Sequence, residues 1–121
     1  MKNWTIFRKI EDYENYEVSI HGDVRHRKFK RLKKASYDKD GYLTVGLFEN
    51  SDLKFKKVHR LVGQAFIDNK GLPQINHKDE DKTNNHFTNL EWCTPAYNCN
   101  YGTRIQRISE SRLEKEALAR A

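Results

Sequence analysis

Ile75-Asn76-His77-Lys78-Asp79-Glu80-Asp81-Lys82-Thr83-Asn84-Asn85-His86-Phe87-Thr88-Asn89-Leu90-Glu91-Trp92-Cys93-Thr94-Pro95-Ala96-Tyr97-Asn98 carries most of the chemistry in this chain and sets its architecture. Residues 74–78 and 90–94 have the character of short strands. The polar residues 79–89 between them are rich in the Asp, Asn and Thr that favour turns over ladders. Pro95 suits the first turn of a helix, where its missing N–H leaves nothing unsatisfied, and Thr94 suits the cap before it. The predicted order is strand, loop, strand, helix. It can bring the imidazole of His77, the carboxamides and carboxylates of the loop, and Asn98 from the helix to one point. Phosphodiester hydrolysis requires such a set: a base to activate water, and a hard cation to stabilise charge on the phosphoryl and leaving 3′ oxygens. Asn and Asp oxygens suit Mg2+ or Mn2+ better than a soft metal.

Upstream, the period of the apolar residues changes at Val58. Leu61, Val62, Ala65 and Phe66 fall on one helical face while Arg60 and Gln64 lie away from it. Asp68-Asn69-Lys70-Gly71-Leu72-Pro73 carries the Gly and Pro that stop a helix. The residues before Val58 read as strands and turns. Residues 4–10 are partly apolar, with Trp4 among them, and Tyr16-Glu17-Val18-Ser19-Ile20 alternates with period two. His21-Gly22-Asp23 then supplies turn chemistry before Val24. Lys39-Asp40-Gly41 turns the chain into Tyr42-Leu43-Thr44-Val45-Gly46-Leu47-Phe48, and Glu49-Asn50-Ser51-Asp52 turns it back into Leu53-Lys54-Phe55-Lys56. These signals predict one small antiparallel sheet with the helix stripe packed on it. Beyond the central stretch, Ile105, Ile108, Leu113, Ala117 and Leu118 recur at roughly helical spacing, which predicts a solvated C-terminal helix over 103–121.

The densest charge lies at residues 25–34, where Arg25, Arg27, Lys28, Lys30, Arg31, Lys33 and Lys34 make seven of ten residues cationic. Like charges crowded this way favour a polyanionic partner, since phosphates relieve the repulsion. Over the whole chain of 121 residues, 23 Lys and Arg face 17 Asp and Glu, a net charge of +6 that points the same way. A length of 121 residues leads to the expectation of one domain rather than a large multi-domain enzyme. Hydrophobic residues reach only 36%, lean for a core, yet 2 Trp, 6 Tyr and 6 Phe supply the large side chains that a disordered chain lacks. No apolar run approaches the roughly 18 to 20 residues of a membrane helix, so the expectation is no membrane partner and a cytoplasmic location. Cys93 and Cys99 are too few for a disulfide framework or an all-cysteine zinc site. Residues 1–57, 58–102 and 103–121 are expected to form a β-rich module carrying the basic block, a part holding the central stretch and a terminal helix, within one compact unit.

Several motifs occur in a fixed order: Val58-His59-Arg60-Leu61-Val62 with Ala65-Phe66-Ile67, Asn76-His77-Lys78-Asp79, Asn84-Asn85, Asn89-Leu90-Glu91-Trp92, and Asn98. With them the chain resembles the HNH endonucleases, particularly the small phage and intron-encoded homing endonucleases with a ββα-metal active site. The N-terminal residues Trp4, Ile10, Tyr13, Tyr16-Glu17-Val18-Ser19, Gly22 and Val24-Arg25 resemble the short module that often precedes this nuclease. The resemblance covers roughly residues 4–100. It implies an α+β fold: a small N-terminal antiparallel sheet, a helix, the ββα-metal motif and a C-terminal helix. It further implies cleavage of double-stranded DNA with one divalent cation, leaving 5′ phosphate and 3′ hydroxyl ends, by a monomer or weak dimer in a bacterial or phage-infected host.

The same resemblance implies site roles. His77 is the general base, Asn89 holds the loop and orients His77, and Asn98 ligates the metal. Asn76 occupies a position that is often an Asp ligand in related nucleases and is neutral here, one carboxylate fewer to attract a divalent cation. Asn84 and Asn85 are read as turn-forming, Asp79 and Asp81 as loop groups rather than ligands, and His59 as a packing or hydrogen-bonding residue near the site. Two other functions draw on the same residues: an inactive DNA-binding protein derived from such a nuclease, and a basic RNA-binding module.

Overall fold

The stretch read as alternating, Tyr16 to Ile20, falls largely within the middle strand of the first sheet. β1 (Phe7–Ile10), β2 (Tyr13–Ser19) and β3 (Val24–His26) pair antiparallel in the order β1-β2-β3. The computed structural model describes residues 6–101, so Trp4 and the helix expected over 103–121 lie outside the described residues. The turn between β2 and β3 contains Gly22 with φ +91, and the Ser19 hydroxyl accepts from the N–H groups of His21 and Asp23. β4 (Ser36–Tyr37), β5 (Leu43–Glu49) and β6 (Asp52–Lys57) form a second antiparallel sheet in the order β4-β5-β6. Asn50 and Ser51 join β5 to β6, both with positive φ, as a two-residue hairpin turn needs.

The single sheet expected from the sequence is therefore two three-stranded sheets. The division falls in the basic block. After β3 the chain folds straight back, with Lys30 N–H on His26 O, His26 N–H on Arg31 O and Lys33 N–H on Val24 O, and only an isolated bridge forms between Arg25 and Leu32. A run of cations has no apolar alternation with which to continue as a buried strand.

α1 (Val58–Phe66) is the hub. Val58, Leu61 and Val62 are buried in a cluster with Ile10, Tyr13, Tyr16, Val18 and Val24 of the first sheet, Val45 and Leu47 of the second, and Ile75 and Leu90 beyond. β7 (Gln74–His77) and β8 (Leu90–Cys93) form a third, two-stranded sheet, followed by α2 (Pro95–Asn100). Gly63 lets α1 approach that sheet closely: a Cβ there would lie 2.4 Å from Ile75 Cδ1 and 3.2 Å from the Trp92 ring. Trp92 Nε1 donates to the carbonyls of Gly63 and Ile67 at the end of α1. Thr94 caps α2 by accepting from Tyr97 N–H at 3.1 Å. The fold is α+β, and among the described residues no helix is long and apolar enough to cross a membrane.

Candidate active site

Register in β7 and β8 pairs Gln74 with Cys93, Ile75 with Trp92, Asn76 with Glu91 and His77 with Leu90. Strand alternation sends Gln74, Asn76, Glu91 and Cys93 to the face that α2 covers, and Ile75, His77, Leu90 and Trp92 to the face against α1. The proposed base and its neighbour Asn76 thus leave the strand end on different faces.

His77 is 3% exposed. Its Nε2 lies 2.9 Å from Asn85 Oδ1, and its ring packs against His59 at 5.1 Å and Tyr42 at 6.0 Å between centroids. An amide oxygen only accepts, so Nε2 carries the proton and the basic lone pair is on Nδ1. Asn85, turn-forming by sequence, is thus also the residue that sets the His77 tautomer. It is itself buried at 4% exposure. The turn between β2 and β3 holds it there: Phe87 N–H donates to Ile20 O at 2.9 Å, and a Cβ at Gly22 would lie 3.0 Å from Asn85 Cβ and 3.2 Å from Val58 Cγ1. Gly22→Ala would combine a left-handed backbone, costing roughly 1–2 kcal/mol, with that contact. A drop of about 5–10 °C in melting temperature is expected, with reduced activity as Asn85 shifts, checked by thermal melts and turnover side by side.

Asn89 holds the loop. Its Oδ1 accepts from Asp79 N–H at 3.1 Å, and its Nδ2 donates to Asp79 Oδ1 and Asn84 O, both at 2.9 Å. Lys78 N–H donates to Asn89 O, so both ends of the loop are tied together within two residues of His77. Asn89 acts on the backbone beside the base, while the hydrogen bond on Nε2 comes from Asn85. Asp79 also accepts from Asn84 Nδ2 and Asp81 N–H, and these bonds, Asn84 first, hold its carboxyl below the usual range. Asp81 is lowered likewise, first by the Thr83 hydroxyl. Both acids are loop groups.

On the other face, Asn76 is fully buried and its Nδ2 donates to Glu91 Oε1 at 2.9 Å. Asn98 of α2 donates through Nδ2 to Gln74 Oε1 at 3.1 Å, one step along the same face from Asn76. The donors available here are oxygens of amides and one carboxylate, which fits a hard cation, and among the described residues no cluster of three or more His, Cys, Asp or Glu offers an alternative metal site.

A cleft of about 240 Å³ is lined by Tyr42, Lys57, His59, Arg60, Gln74, Ile75 and Asn98. His59 is 7% exposed and its Nδ1 has no hydrogen-bond partner. Burial, then the neighbouring charge of His77, pushes its pKa down to about 3, with Lys57 and Arg60 adding to the effect and Asp38 opposing it. It stays neutral against its partners. The unfolded chain binds this proton near pH 6.5 and the folded one only near 3. Stability is therefore present above pH 6.5 and is lost as pH falls toward 3, at up to about 1.4 kcal/mol per pH unit. Denaturant melts across this window should show that slope, and His59→Leu should flatten it.

The basic block divides by role. Arg25 is engaged within the fold: its Nε donates to the buried carboxylate of Glu17, its cross-strand partner, and its guanidinium lies over Phe7. Arg27 donates to Glu14 O, Lys30 lies 3.6 Å from Glu17 Oε2, and Lys33 sits over the Tyr16 ring. Arg27, Lys28, Lys30, Arg31 and Lys34 are exposed, with Phe29 and Leu32 exposed among them. Asn85, Tyr42, Gln74 and Glu91 join the site without having been singled out as its members by sequence.

Residues 6–48 match the NUMOD4 motif. The chain is 40% identical over 95 residues to the DNA endonuclease I-HmuI of Bacillus phage SP01, covering 76% of this chain and 54% of that protein. It is also 40% identical over 90 residues to an uncharacterized HNH endonuclease of Acanthamoeba polyphaga mimivirus, covering 74% of this chain and 27% of the other. The chain thus spans between about a quarter and a half of the length of these relatives. A solved structure of the HNH homing endonuclease I-HmuI, concerned with its DNA binding and cleavage, superposes with a TM-score of 0.71 at 34% identity, over 87% of this chain and 66% of that one.

Proposed function

Since this chain is a relative of the HNH homing endonucleases and carries a NUMOD4 motif at its N-terminal end, we propose that it is a DNA endonuclease using one divalent cation, Mg2+ or Mn2+, to hydrolyse phosphodiester bonds in double-stranded DNA. The observation that supports this most is a buried imidazole whose Nε2 is fixed by Asn85, on the strand that carries Asn76, whose other face is covered by the helix that carries Asn98.

In this mechanism His77 takes a proton from the attacking water at Nδ1, and Asn85 keeps Nε2 protonated so that Nδ1 stays the basic atom. Asn89 and Asp79 keep the loop closed beside it. His59, neutral at working pH, adds no positive charge that would disfavour protonation of its neighbour. Asn76 and Asn98 would hold the cation, which when bound supplies charge stabilisation at the phosphoryl and leaving oxygens. One such site per chain cuts one strand per encounter, so a monomer nicks.

The exposed cations hold the duplex. Each phosphate neutralised adds about 0.9 to the log–log dependence of affinity on salt. Replacing Lys28, Arg31 and Lys34 together with Gln is expected to reduce that slope by up to about 3 while leaving the melting temperature in place. Arg25→Gln should instead lower the melting temperature, because it strands the buried Glu17. Binding isotherms from 50 to 300 mM salt, roughly, give the slopes. The function itself is tested by incubating supercoiled plasmid with the whole chain and Mg2+ or Mn2+, with His77→Ala and Asn98→Ala beside it. Relaxed product from wild type alone supports the proposal. Intact plasmid with tight DNA binding would assign an inactive DNA-binding protein, and preference for RNA over duplex DNA in competition would assign an RNA-binding one.

A further inference from the structure

Asn76 is neutral where a cation ligand with formal charge is expected, and the fold sets a carboxylate directly against it. Glu91 is its cross-strand partner, and Asn76 Nδ2 donates to Glu91 Oε1 at 2.9 Å. Asn76 is fully buried and Glu91 half-buried. Glu91 has a second donor in the hydroxyl of Tyr97, whose own pKa is raised by desolvation and then by this bond. Tyr97 precedes Asn98 on α2, so the carboxylate sits under the helix that brings the other proposed cation ligand. A carboxylate accepts and does not donate. Its bond to Nδ2 therefore fixes the orientation of the Asn76 amide and polarises it, moving negative charge toward Oδ1, the only atom of that side chain able to bind a cation.

Resting on the reading of Asn76 and Asn98 as the cation ligands, we propose that Glu91 is the acidic member of the cation site, supplying through Asn76 the negative charge that a neutral residue at position 76 lacks. Two amides attract a divalent ion weakly, and affinity in oxygen-ligand sites is tuned by the count of charged ligands. The alternative role for Glu91 is a structural acceptor for two donors. That role depends on its oxygen, whereas the proposed one depends on its charge.

Glu91→Gln separates the two, since it keeps an oxygen acceptor for Asn76 Nδ2 and removes the charge. The whole chain without DNA is titrated with Mn2+, followed by calorimetry and by the electron paramagnetic resonance of free Mn2+. Glu91→Gln should bind Mn2+ about tenfold more weakly or worse, with a melting temperature close to wild type. The double variant Asn76→Asp with Glu91→Gln carries the charge on the neighbouring strand, and should recover wild-type affinity to within about threefold. Unchanged affinity in Glu91→Gln, failure of the double variant to recover, or unfolding of Glu91→Gln would each overturn the proposal, the last by assigning Glu91 the structural role. If wild type binds Mn2+ and nicks DNA while Glu91→Gln binds equally well, only the role of Glu91 falls. If wild type neither binds Mn2+ nor cuts, the cation reading itself falls.

Discussion

His77→Ala is expected to slow DNA nicking about a thousandfold at saturating enzyme, with DNA affinity held within about threefold of wild type. A positioned general base contributes roughly a hundred- to ten-thousandfold, and none of the three side chains Asn85, Tyr42 and His59 against the ring can take its place. Asn85 is an acceptor and donor without basicity, Tyr42 meets the imidazole as a ring tilted at 34°, and His59 has its pKa pushed down to about 3 by burial, which makes it a poor base. Binding should survive because the exposed cations of the basic block lie elsewhere, on the return from β3. His77 is 3% exposed, so its removal also leaves Asn85 without its partner, at a stability cost of about 1–3 kcal/mol. Single-turnover rates measured well below the melting temperature separate that cost from the chemistry. A rate within tenfold of wild type would remove His77 from the role of base.

Asn85→Ala is expected to cost about a hundredfold in rate with little change in KM. The residue makes no proposed contact with DNA or cation, and it acts only by holding His77. Without its Oδ1 the buried Nε2–H loses its acceptor, and the imidazole can adopt the other tautomer, with the proton on the atom that must receive one. The readout that distinguishes positioning from mere destabilisation is the pH profile. Histidine ring resonances followed by NMR should show a changed tautomer at His77, and Asn85→Asp, which keeps an acceptor at the same place, should restore much of the rate. A loss in Asn85→Ala that appears wholly in KM, with the His77 tautomer unchanged, would assign Asn85 to substrate binding instead.

What was legible in the sequence was local. The apolar stripe from Val58 lies on α1 because helical periodicity is carried by four residues of one face, and Thr94 with Pro95 marks α2 because a cap and an N–H-free first turn are properties of adjacent residues. The turns at Gly22 and at Asn50-Ser51 follow from φ preferences. The rest depends on register and on how loops close. Arg25 reads as one cation among seven until β2 and β3 pair and set it opposite Glu17. Asn85 reads as a turn former until the loop closes and the turn between β2 and β3 presses against it. Glu91 reads as one polar position in an alternating strand until β7 sets Asn76 beside it. The expected single sheet became two for a related reason: turns and strands can be marked from short windows, but whether strands separated by a cationic run pair with one another is decided by contacts far apart in sequence.

The low hydrophobic fraction also has a structural explanation. Residues 79–89 bury little apolar surface and are held by side-chain hydrogen bonds among Asp79, Asn84, Asn89, Asp81 and Thr83, each worth roughly 1 kcal/mol. Such a loop trades core for a polar frame, and its Asn85 is the hydrogen-bond partner of the buried His77.

The decisive measurement is plasmid nicking by the whole chain, run with Mg2+, with Mn2+ and with a chelator, beside His77→Ala. Relaxed circles that appear with either cation, vanish with the chelator and fail to form with His77→Ala are predicted. Supercoiled plasmid left intact under every condition by a chain that still binds duplex DNA, or equal nicking by His77→Ala, would contradict a metal-dependent nuclease centred on that imidazole.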